Sequence, residues 1–344
     1  MKVIMPARFL DRHVGGNTTY ARRIAEGLTS RGIHVGKITA GRHPLTTALR
    51  ETAAGLQSGR GRRDELIHYV GDTGPLMGVR RPSVVTVHGV ASRWIDVART
   101  RTQEAAWRFR VGRAVSAADH VITVSDSSAN DVAEIFGVDR SRLTTIKHGI
   151  DVGKFTARAQ LSGAIASAVP AEFVLYLGNI EPRKNLLPLI EAFATPEVRS
   201  LNLPLVIAGK PAWNSVETMD AIARSGNVIH LGFVSDEDRT ALMQHCAMFA
   251  FPSLYEGFGF PVLEALAAGA VVITSQRGSL AEVAGPSLTF PDLDRDGIAA
   301  GLVQAVEDND ARETCAAEGL DWAKSFDWEE SVDKHVTVYE GVLS

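Results

Sequence analysis

Short runs of β-branched and apolar residues alternate with helical stretches along the whole chain, and this alternation constrains the fold more than any other feature. The predicted strands are Val3–Met5, His34–Ile38, Leu66–Val70, Val84–Val87, His120–Val124 and Leu143–Ile146, and then Phe173–Leu177, Leu205–Ala208, Val228–Leu231, Met248–Phe251, Val271–Thr274 and Leu288–Phe290. Near-continuous apolar strands separated by helices are typical of parallel sheets covered on both faces. Two such series predict two doubly wound α/β domains.

The linker between the two series is predicted at residues 157–171, where small residues accumulate and Pro170 follows them. The predicted domains are therefore residues 1–165 and residues 171–325. Residues 326–344 are predicted to form a closing helix that packs back on the N-terminal domain. Doubly wound sheets bind ligands beyond the C-terminal ends of their strands, so we expect the two domains to face each other across a cleft.

Composition narrows the class of protein. Hydrophobic residues make up 45% and charged residues 22% of the 344 residues, which is ordinary for a soluble globular protein and argues against a disordered or membrane-spanning chain. The opening MKVIMPARFL has too short an apolar stretch for a signal peptide and is typical of a buried first strand. Cys246 and Cys315 match no metal-binding or redox spacing. We therefore expect a cytoplasmic protein.

Charge is distributed unevenly between the two halves. Residues 1–150 contain 23 Lys and Arg against 13 Asp and Glu, whereas the remainder contains 13 against 27. A basic N-terminal half is consistent with an anionic acceptor or with peripheral contact at the inner face of the membrane, and scattered solvated arginines explain it equally well. One hypothesis assigns such contacts to Arg60, Arg62 and Arg63. No nucleic-acid partner is predicted.

The string EGFGFPVLE, residues 256–264, carries the strongest functional signal because it directly follows a predicted strand. Its glycines allow a sharp turn and a close backbone approach to a ligand, and Pro261 suits the first turn of a helix. The amides of Gly257, Phe258 and Gly259 at that helix N-terminus would form a site for anions and hydroxyls. The carboxylates of Glu256 and Glu264 could bind different hydroxyls of one ligand. The simpler alternative is a capped amphipathic helix with Glu264 exposed.

A basic pair, Arg183 and Lys184, closes the first strand of the second half within GNIEPRKN. Cations at this edge can bind a diphosphate, and an arginine can donate to two oxygens at once. A helix N-terminus is a poor place for unpaired cations because the helix dipole is already positive there. The pair therefore predicts a bound anion, and the alternative is a solvated basic pair.

Two features of the first half also follow predicted strands. Gly15 and Gly16 leave the backbone free for close approach to a ligand just before a helix, although many strand–helix turns have the same appearance. His88 stands directly beyond Val84–Val87, where it could bond a ligand hydroxyl. An isolated histidine is more often a structural residue, and only its strand-end position favours a functional one.

Several segments together resemble the donor domain of the family 4 retaining glycosyltransferases, which have the GT-B fold of two Rossmann-like domains. These segments are GNIEPRKNLLPLIEAF, VIHLGFVSDED, AFPSLYEGFGFPVLEALAAG and SLAEVAG, within residues 171–325. EPRKN and SLYEGFGFPVLEA are most similar to bacterial mannosyltransferases.

The resemblance implies a role for each candidate residue. Glu264 would bind the ribose of the nucleotide, and Glu256 would bind hydroxyls of the transferred sugar. The amides of Gly257–Gly259 would bind the sugar and the phosphate of the donor. Lys184 would bind the diphosphate, and Arg183 would supply the charge that many members carry where this chain has Asn179. Phe233 and Val234 would lie beside the nucleobase. Gly15 and Gly16 would meet the diphosphate, and His88 would lie near the sugar ring.

The expected function is transfer of a sugar from a nucleotide-sugar donor to a hydroxyl of a small-molecule, glycan or lipid-linked acceptor, with retention of configuration. GDP-mannose is the first expected donor and UDP-sugars come next. No metal or other cofactor is expected, because none of the Asp-x-Asp strings follows a strand near the proposed donor site. The alternatives are an epimerase of the same fold and a non-catalytic nucleotide-sugar-binding protein. A nicotinamide dehydrogenase is excluded because no G-x-G-x-x-G turn follows a strand.

Overall fold

A computed structural model describes residues 1–11, 15–56, 64–95 and 101–344, so the hypothesis on Arg60, Arg62 and Arg63 lies outside the described residues. The chain divides into two compact units. Unit 1 comprises Met1–Gly149 and Asp327–Ser344, and unit 2 comprises Ile150–Phe326.

Unit 1 is built on a six-stranded parallel sheet. Its strands are β1 (Lys2–Pro6), β2 (His34–Ile38), β3 (Glu65–Tyr69), β4 (Ser83–Val87), β5 (His120–Thr123) and β6 (Leu143–Thr145), in the order β2-β1-β3-β4-β5-β6. Its helices are α1 (Ala7–Leu10), α2 (Gly16–Ser30), α3 (Pro44–Leu56), α4 (Arg101–Ala117), α5 (Asp126–Phe136) and the C-terminal α16 (Trp328–Leu343). Short 3₁₀ turns at Ala91–Arg93 and Arg140–Arg142 complete it.

Alternating side chains of each strand supply two separate cores, because successive residues point to opposite faces of a sheet. Val3 and Met5 of β1 join a core with α2 and α16, whereas Ile4 joins a core with α4. The sheet is therefore covered on both faces, which explains its nearly continuous apolar strands.

Unit 2 repeats this arrangement with β7 (Val174–Leu177), β8 (Leu205–Ala208), β9 (Val228–Gly232), β10 (Met248–Phe251), β11 (Val272–Thr274) and β12 (Leu288–Thr289), in the order β12-β11-β10-β7-β8-β9. All the pairings are parallel. The helices are α6 (Val152–Thr156), α7 (Gly163–Ala168), α8 (Leu186–Ala192), α9 (Pro196–Ser200), α10 (Val216–Arg224), α11 (Asp236–His245), α12 (Phe260–Ala267), α13 (Leu280–Val283), α14 (Arg295–Glu307) and α15 (Asn309–Lys324). The prediction of two doubly wound parallel-sheet domains is confirmed.

The boundary between the units differs from the predicted one, because residues 150–165 belong to unit 2. The reason is a set of hydrogen bonds to α11. The amide of Ala159 donates to Gln244 Oε1 at 3.0 Å, and the amide of Ser162 donates to Asp238 Oδ1 at 2.7 Å. The small residues that suggested a linker are thus held against the second sheet's helices.

The C-terminal helix α16 packs on α2 in unit 1, where Val332 and Tyr339 are buried in the core. Unit 1 is therefore discontinuous in sequence. Among the described residues, no helix combines the length and the apolar composition needed to cross a bilayer.

Candidate active site

The order of strands in unit 2 places one crevice at the C-terminal ends of β7 and β10. The chain runs from β7 outward to β8 and β9, and then returns to the other side of β7 as β10. Ligands of doubly wound sheets bind at such a reversal point, because the loops that follow the two central strands diverge there. The loops after β7 and β10 contain the two strongest sequence signals, Arg183 with Lys184 and the glycine turn at Gly257–Gly259.

The loop after β7 forms a 3₁₀ turn over Pro182–Lys184 and then adopts a left-handed conformation at Asn185, with φ at 58°. The Asn185 side chain donates to Leu293 O at 2.7 Å, which holds the turn in place. Lys184 is consequently buried, with 5% of its surface exposed, and its Nζ lies 4.8 Å from the centre of the Phe251 ring at the end of β10.

Glu256 brings the two loops together through an ion-pair cluster. Lys184 Nζ donates to Glu256 Oε1 at 2.5 Å, and Arg183 Nη1 donates to Glu256 Oε2 at 2.8 Å. Ser253 Oγ donates to Oε1 at 2.6 Å. Arg183 Nε also lies 2.5 Å from Glu181 Oε1, so two buried carboxylates face two cations.

The charges of this cluster favour the ionised forms of the Glu256 and Arg183 side chains. Burial alone would raise the pKa of Glu256, but Arg183 and Lys184 outweigh it and lower that pKa to about 2. Burial opposes the Arg183 cation, yet Glu256 and Glu181 raise its pKa. Burial lowers the pKa of Lys184, and Glu256 partly opposes that effect.

The glycine turn that follows Glu256 ends at Gly259, which has φ at 102°. A Cβ on Gly259 would lie 2.7 Å from Leu280 Cδ2, so glycine is required both for the conformation and for the close packing. Helix α12 begins at the next residue with Pro261 in its first turn, as the sequence pattern suggests. Ser279 Oγ donates to Glu256 O at 2.9 Å and anchors the start of the turn.

Glu264 lies inside α12 and belongs to a second ion pair. Its Oε2 is 3.3 Å from Arg239 Nη1 of α11, and the residue is only 9% exposed. The alternative of an ordinary exposed helix former is therefore wrong. Burial raises the pKa of Glu264, and Arg239 opposes that change. Both carboxylates of the string thus lie in charged, buried surroundings, with different partners.

The segment after β9 presents an aromatic ring to solvent. Phe233 is 63% exposed, and Lys210 Nζ, from the loop after β8, lies 4.2 Å from the ring centre. Val234 is half-buried beside it. Phe233 and Val234 follow β9 at the same C-terminal edge of the sheet as Lys184.

Unit 1 holds the remaining predicted residues. Gly15, with φ at 115°, precedes α2, and its carbonyl accepts bonds from the amides of Thr18 and Thr19. His88 follows β4, and its Nε2 lies 3.0 Å from Val70 O. A carbonyl only accepts, so Nε2 of His88 carries a proton and donates to Val70 O, and Nδ1 is the ring nitrogen that does not bond to Val70. His88 therefore directly follows a strand, whereas helix α1 separates Gly15 and Gly16 from β1.

Sequence reasoning missed two polar side chains at the reversal point of unit 1, between β1 and β3. Asp72 accepts the His88 amide at 2.7 Å. Arg8 donates to Thr73 Oγ1 at 2.9 Å, and its Nε donates to the buried Glu51 at 2.7 Å. Arg8 follows β1 within a few residues, and Asp72 follows β3 in the same way. This position after a strand is the sequence signal that could have identified both residues.

A buried hydrogen-bond chain joins α16 to the rest of unit 1. Its links are Tyr339 Oη to His68 Nδ1 at 2.7 Å, His68 Nε2 to Thr86 Oγ1 at 2.8 Å, Thr86 Oγ1 to Tyr20 Oη at 2.8 Å, Tyr20 Oη to His335 Nε2 at 2.8 Å, and His335 Nδ1 to Ser331 O at 2.7 Å. Because Ser331 O only accepts, neutral His335 accepts from Tyr20 at Nε2. Tyr20 Oη then accepts from Thr86 Oγ1, and Thr86 Oγ1 accepts from His68 Nε2. His68 Nδ1 is therefore the acceptor, and Tyr339 Oη donates to it. Burial lowers the pKa of both histidines, which favours these neutral forms.

Within the described ranges, no group of three or more His, Cys, Asp or Glu residues is arranged to hold a metal ion. The cationic groups at the unit 2 crevice are instead the side chains of Arg183 and Lys184. Chemically, such a pair can bind an anion and stabilise negative charge that develops on it.

Comparison with known proteins identifies two family models along the chain. Residues 60–154 match Glycosyltransferase Family 4, and residues 159–322 match Glycosyl transferases group 1. Among structures, the chain is similar to Anabaena HepE in complex with UDP and glucose, with a TM-score of 0.72, 18% identity, and coverage of 99% of this chain and 100% of that one. That likeness supports the two-domain GT-B fold.

Two curated relatives are mannosyltransferases. The chain is 32% identical over 234 residues to the O-antigen chain mannosyltransferase B of Escherichia coli, covering 64% of this chain and 60% of that protein's length. It is 29% identical over 292 residues to the GDP-mannose:cellobiosyl-diphosphopolyprenol alpha-mannosyltransferase of Xanthomonas campestris, covering 81% and 72% of the two chains. With both family models matched in succession, the chain belongs to the family 4 glycosyltransferases and is similar to their bacterial mannosyltransferases.

Proposed function

We propose that the protein transfers a sugar from a nucleotide-sugar donor to a hydroxyl of a glycan or lipid-linked acceptor. The observation that carries this proposal is the buried cluster of Lys184, Arg183 and Glu256 at the reversal point of unit 2. It combines two cations for a diphosphate with a carboxylate that can accept bonds from sugar hydroxyls. Family membership supports the same reaction class.

The cations can bind a diphosphate while they remain paired with Glu256. A lysine ammonium has three N–H donors, and Glu256 takes one from Lys184. Arg183 uses Nε toward Glu181 and Nη1 toward Glu256 and Tyr255 O, which leaves Nη2 for a phosphate oxygen. Cleavage of the sugar–phosphate bond leaves negative charge on the departing diphosphate, and both cations would stabilise it.

The other residues take supporting roles in this proposal. Glu264 binds the ribose, Phe233 and Val234 flank the nucleobase, and Gly257–Gly259 offer amides to the sugar and phosphate. Within unit 1, His88 offers Nδ1 to a substrate hydroxyl, and Gly15 and Gly16 allow a close approach of the backbone to a substrate. The reaction retains anomeric configuration and uses no metal ion, since Arg183 and Lys184 supply the positive charge.

GDP-mannose is the proposed donor, with UDP-sugars next. The name of the Xanthomonas relative includes GDP-mannose, and the E. coli relative is also a mannosyltransferase. The second choice is supported by HepE, whose structure holds UDP. We propose the cytoplasm as the location, because Cys246 and Cys315 are free thiols, which suits a reducing compartment.

The test combines binding with turnover. Thermal shifts with GDP, UDP, ADP and dTDP identify the nucleotide, because a ligand stabilises the folded state that binds it. Release of that nucleotide from the matching sugar donor then measures turnover, with and without candidate glycan acceptors. Lys184→Met removes the ammonium while keeping an unbranched side chain, and we expect turnover to fall about a hundred- to thousand-fold.

Lys324→Met serves as the matched control, since it removes an exposed lysine of unit 2 that pairs with Asp321 on α15, outside both the ion-pair cluster and the proposed donor site, and it should leave turnover unchanged. The proposal fails if Lys184→Met, shown to be folded, turns over donor as fast as the unmodified protein. Nucleotide binding without any sugar transfer would instead indicate an epimerase or a non-catalytic binding protein.

A further inference from the structure

Arg239 is a half-buried cation near the start of α11, the helix that follows β9 in unit 2. Its Nη1 lies 3.3 Å from Glu264 Oε2 on α12, and its guanidinium carbon lies 5.3 Å from the centre of the buried Phe155 ring on α6. Its Nε is buried and has no hydrogen-bond partner among the described residues. The guanidinium is therefore held by the charge of Glu264 and by its contact with Phe155.

A second carboxylate, that of Asp236, lies near Arg239 but attracts it less. Asp236 Oδ1 is 4.0 Å from Arg239 Nε, whereas Asp236 Oδ2 accepts from Lys154 Nζ at 2.5 Å. The Asp236 side chain is 72% exposed and that of Glu264 is 12% exposed. Water screens an exposed pair of charges, so the attraction to the buried carboxylate is the stronger one. Lys154 neutralises Asp236, and Glu264 is left as the main partner of Arg239.

The ion pair leaves acceptor capacity on Glu264. The contact with Arg239 engages one carboxylate oxygen, so Oε1 and the second lone pair of Oε2 can accept hydrogen bonds from a ligand. Burial raises the pKa of Glu264, and Arg239 and Lys154 oppose that change. An ionised carboxylate accepts at both oxygens and forms stronger hydrogen bonds than a neutral acid does. Arg239 thus favours the form of Glu264 that accepts from two neighbouring hydroxyls.

We propose that Arg239 is a positioning residue of the donor site, whose guanidinium holds the Glu264 carboxylate where it accepts hydrogen bonds from the two hydroxyls of the donor's ribose. This role rests on the proposed function, in which Glu264 binds the ribose. Phe155 supports the flat face of the guanidinium, and Lys154 keeps Asp236 from competing for it. Helix α6, which the sequence pattern assigned to the first domain, thereby supports the donor site of unit 2.

Nucleotide binding with and without the ribose hydroxyls tests this role. The probes are GDP and UDP, each compared with its 2′,3′-dideoxy form by isothermal titration calorimetry of the full chain. We expect the unmodified protein to bind the dideoxy form of its nucleotide about ten- to a hundredfold more weakly, because hydrogen bonds to a carboxylate are lost. We call this ratio the ribose preference.

Arg239→Met removes the charge and keeps an unbranched apolar side chain over Phe155. We expect its ribose preference to fall about tenfold, with the affinity for the dideoxy form unchanged. Arg239→Lys restores a cation and should recover part of the preference. A purely structural role of Arg239 would instead weaken the binding of both forms alike.

Two further variants complete the design. Glu264→Gln should lose the ribose preference, and adding Arg239→Met to it should change the preference no further, because the two residues act as one unit. Arg199→Met is the matched control, since Arg199 is an exposed arginine on α9, which precedes β8 and so lies at the opposite end of the sheet. Its ribose preference should equal that of the unmodified protein.

The proposal is overturned if Arg239→Met keeps the full ribose preference, or if it weakens the binding of both forms equally. It is also overturned if the unmodified protein binds GDP or UDP with no preference for the ribose form. None of these results touches the transferase function, which sugar transfer by the unmodified protein measures separately. Failure of the unmodified protein to bind either nucleotide would overturn this proposal and count against the GDP and UDP donors as well.

Discussion

Replacing Glu256 with glutamine is predicted to destabilise unit 2 and, at the same time, to strengthen its response to a diphosphate. In the folded protein Arg183 and Lys184 lower the pKa of Glu256 from 4.5 to about 2. That difference corresponds to about 3 kcal/mol of folding free energy at neutral pH. Because the pKa is lowered by folding, this contribution is present above pH 4.5 and is lost as the pH falls toward 2.

Glu256→Gln removes this contribution and leaves Lys184 and Arg183 facing Glu181 as the nearest carboxylate of the cluster. For a unit of this size, about 3 kcal/mol corresponds to a decrease in melting temperature of roughly 6–12 °C. An added anion can replace the lost negative charge. Inorganic pyrophosphate should therefore raise the melting temperature of Glu256→Gln more than that of the unmodified protein at the same concentration, because the negative charge of Glu256 no longer offsets the two cations that attract the anion.

Differential scanning fluorimetry across a pyrophosphate titration measures both effects. Glu264→Gln is the matched control, since Glu264 pairs with Arg239 rather than with Lys184. It should show no enhanced response to pyrophosphate. If Glu256→Gln melts together with the unmodified protein, or gains no more from pyrophosphate than Glu264→Gln does, the assignment of Arg183 and Lys184 as a diphosphate site is refuted.

Two further predictions concern stability. Burial lowers the pKa of His335 from 6.5 to about 4, so the unfolded chain binds more protons between these values, and the free energy of unfolding should fall as the pH drops through this range. His335→Gln should flatten that dependence in urea titrations, and an equally steep slope in the variant would contradict it. Gly259→Ala places a Cβ 2.7 Å from Leu280 at a φ of 102° and should cost about 1–3 kcal/mol in thermal melts. Gly341→Ala, whose Cβ would meet nothing within 4 Å, should cost much less, and equal melting of the two variants would count against this explanation.

The fold could be predicted because its signal is local. Each strand is a short apolar run, and strands alternate with helical patterns in two successive series. The sequence alone therefore predicts two parallel sheets. Their positions just after predicted strands also point to Lys184, Glu256 and His88 as candidate ligand-binding residues. The order of strands then explains why the first two meet, since β7 and β10 are neighbours although Lys184 and Glu256 are 72 residues apart.

Pairings between distant polar groups could not be predicted. Nothing near Glu264 in the sequence indicates that Arg239 lies beside it, because that contact depends on how α11 packs against α12. The domain boundary was misplaced for a similar reason. Small residues at 157–171 suggest a linker, but the side chains of Gln244 and Asp238 bind this segment to unit 2.

The discontinuity of unit 1 also fixes an order of events during synthesis. Unit 2 is one uninterrupted stretch, so all of its core residues have left the ribosome once Phe326 has emerged. Unit 1 is translated first, yet Tyr20 and His68 each lack one of their hydrogen-bond partners until His335 and Tyr339, which follow unit 2 in the sequence, have emerged. The half that begins earlier is therefore the half that completes its fold later, and a nascent chain stalled before residue 327 would expose an unfinished core.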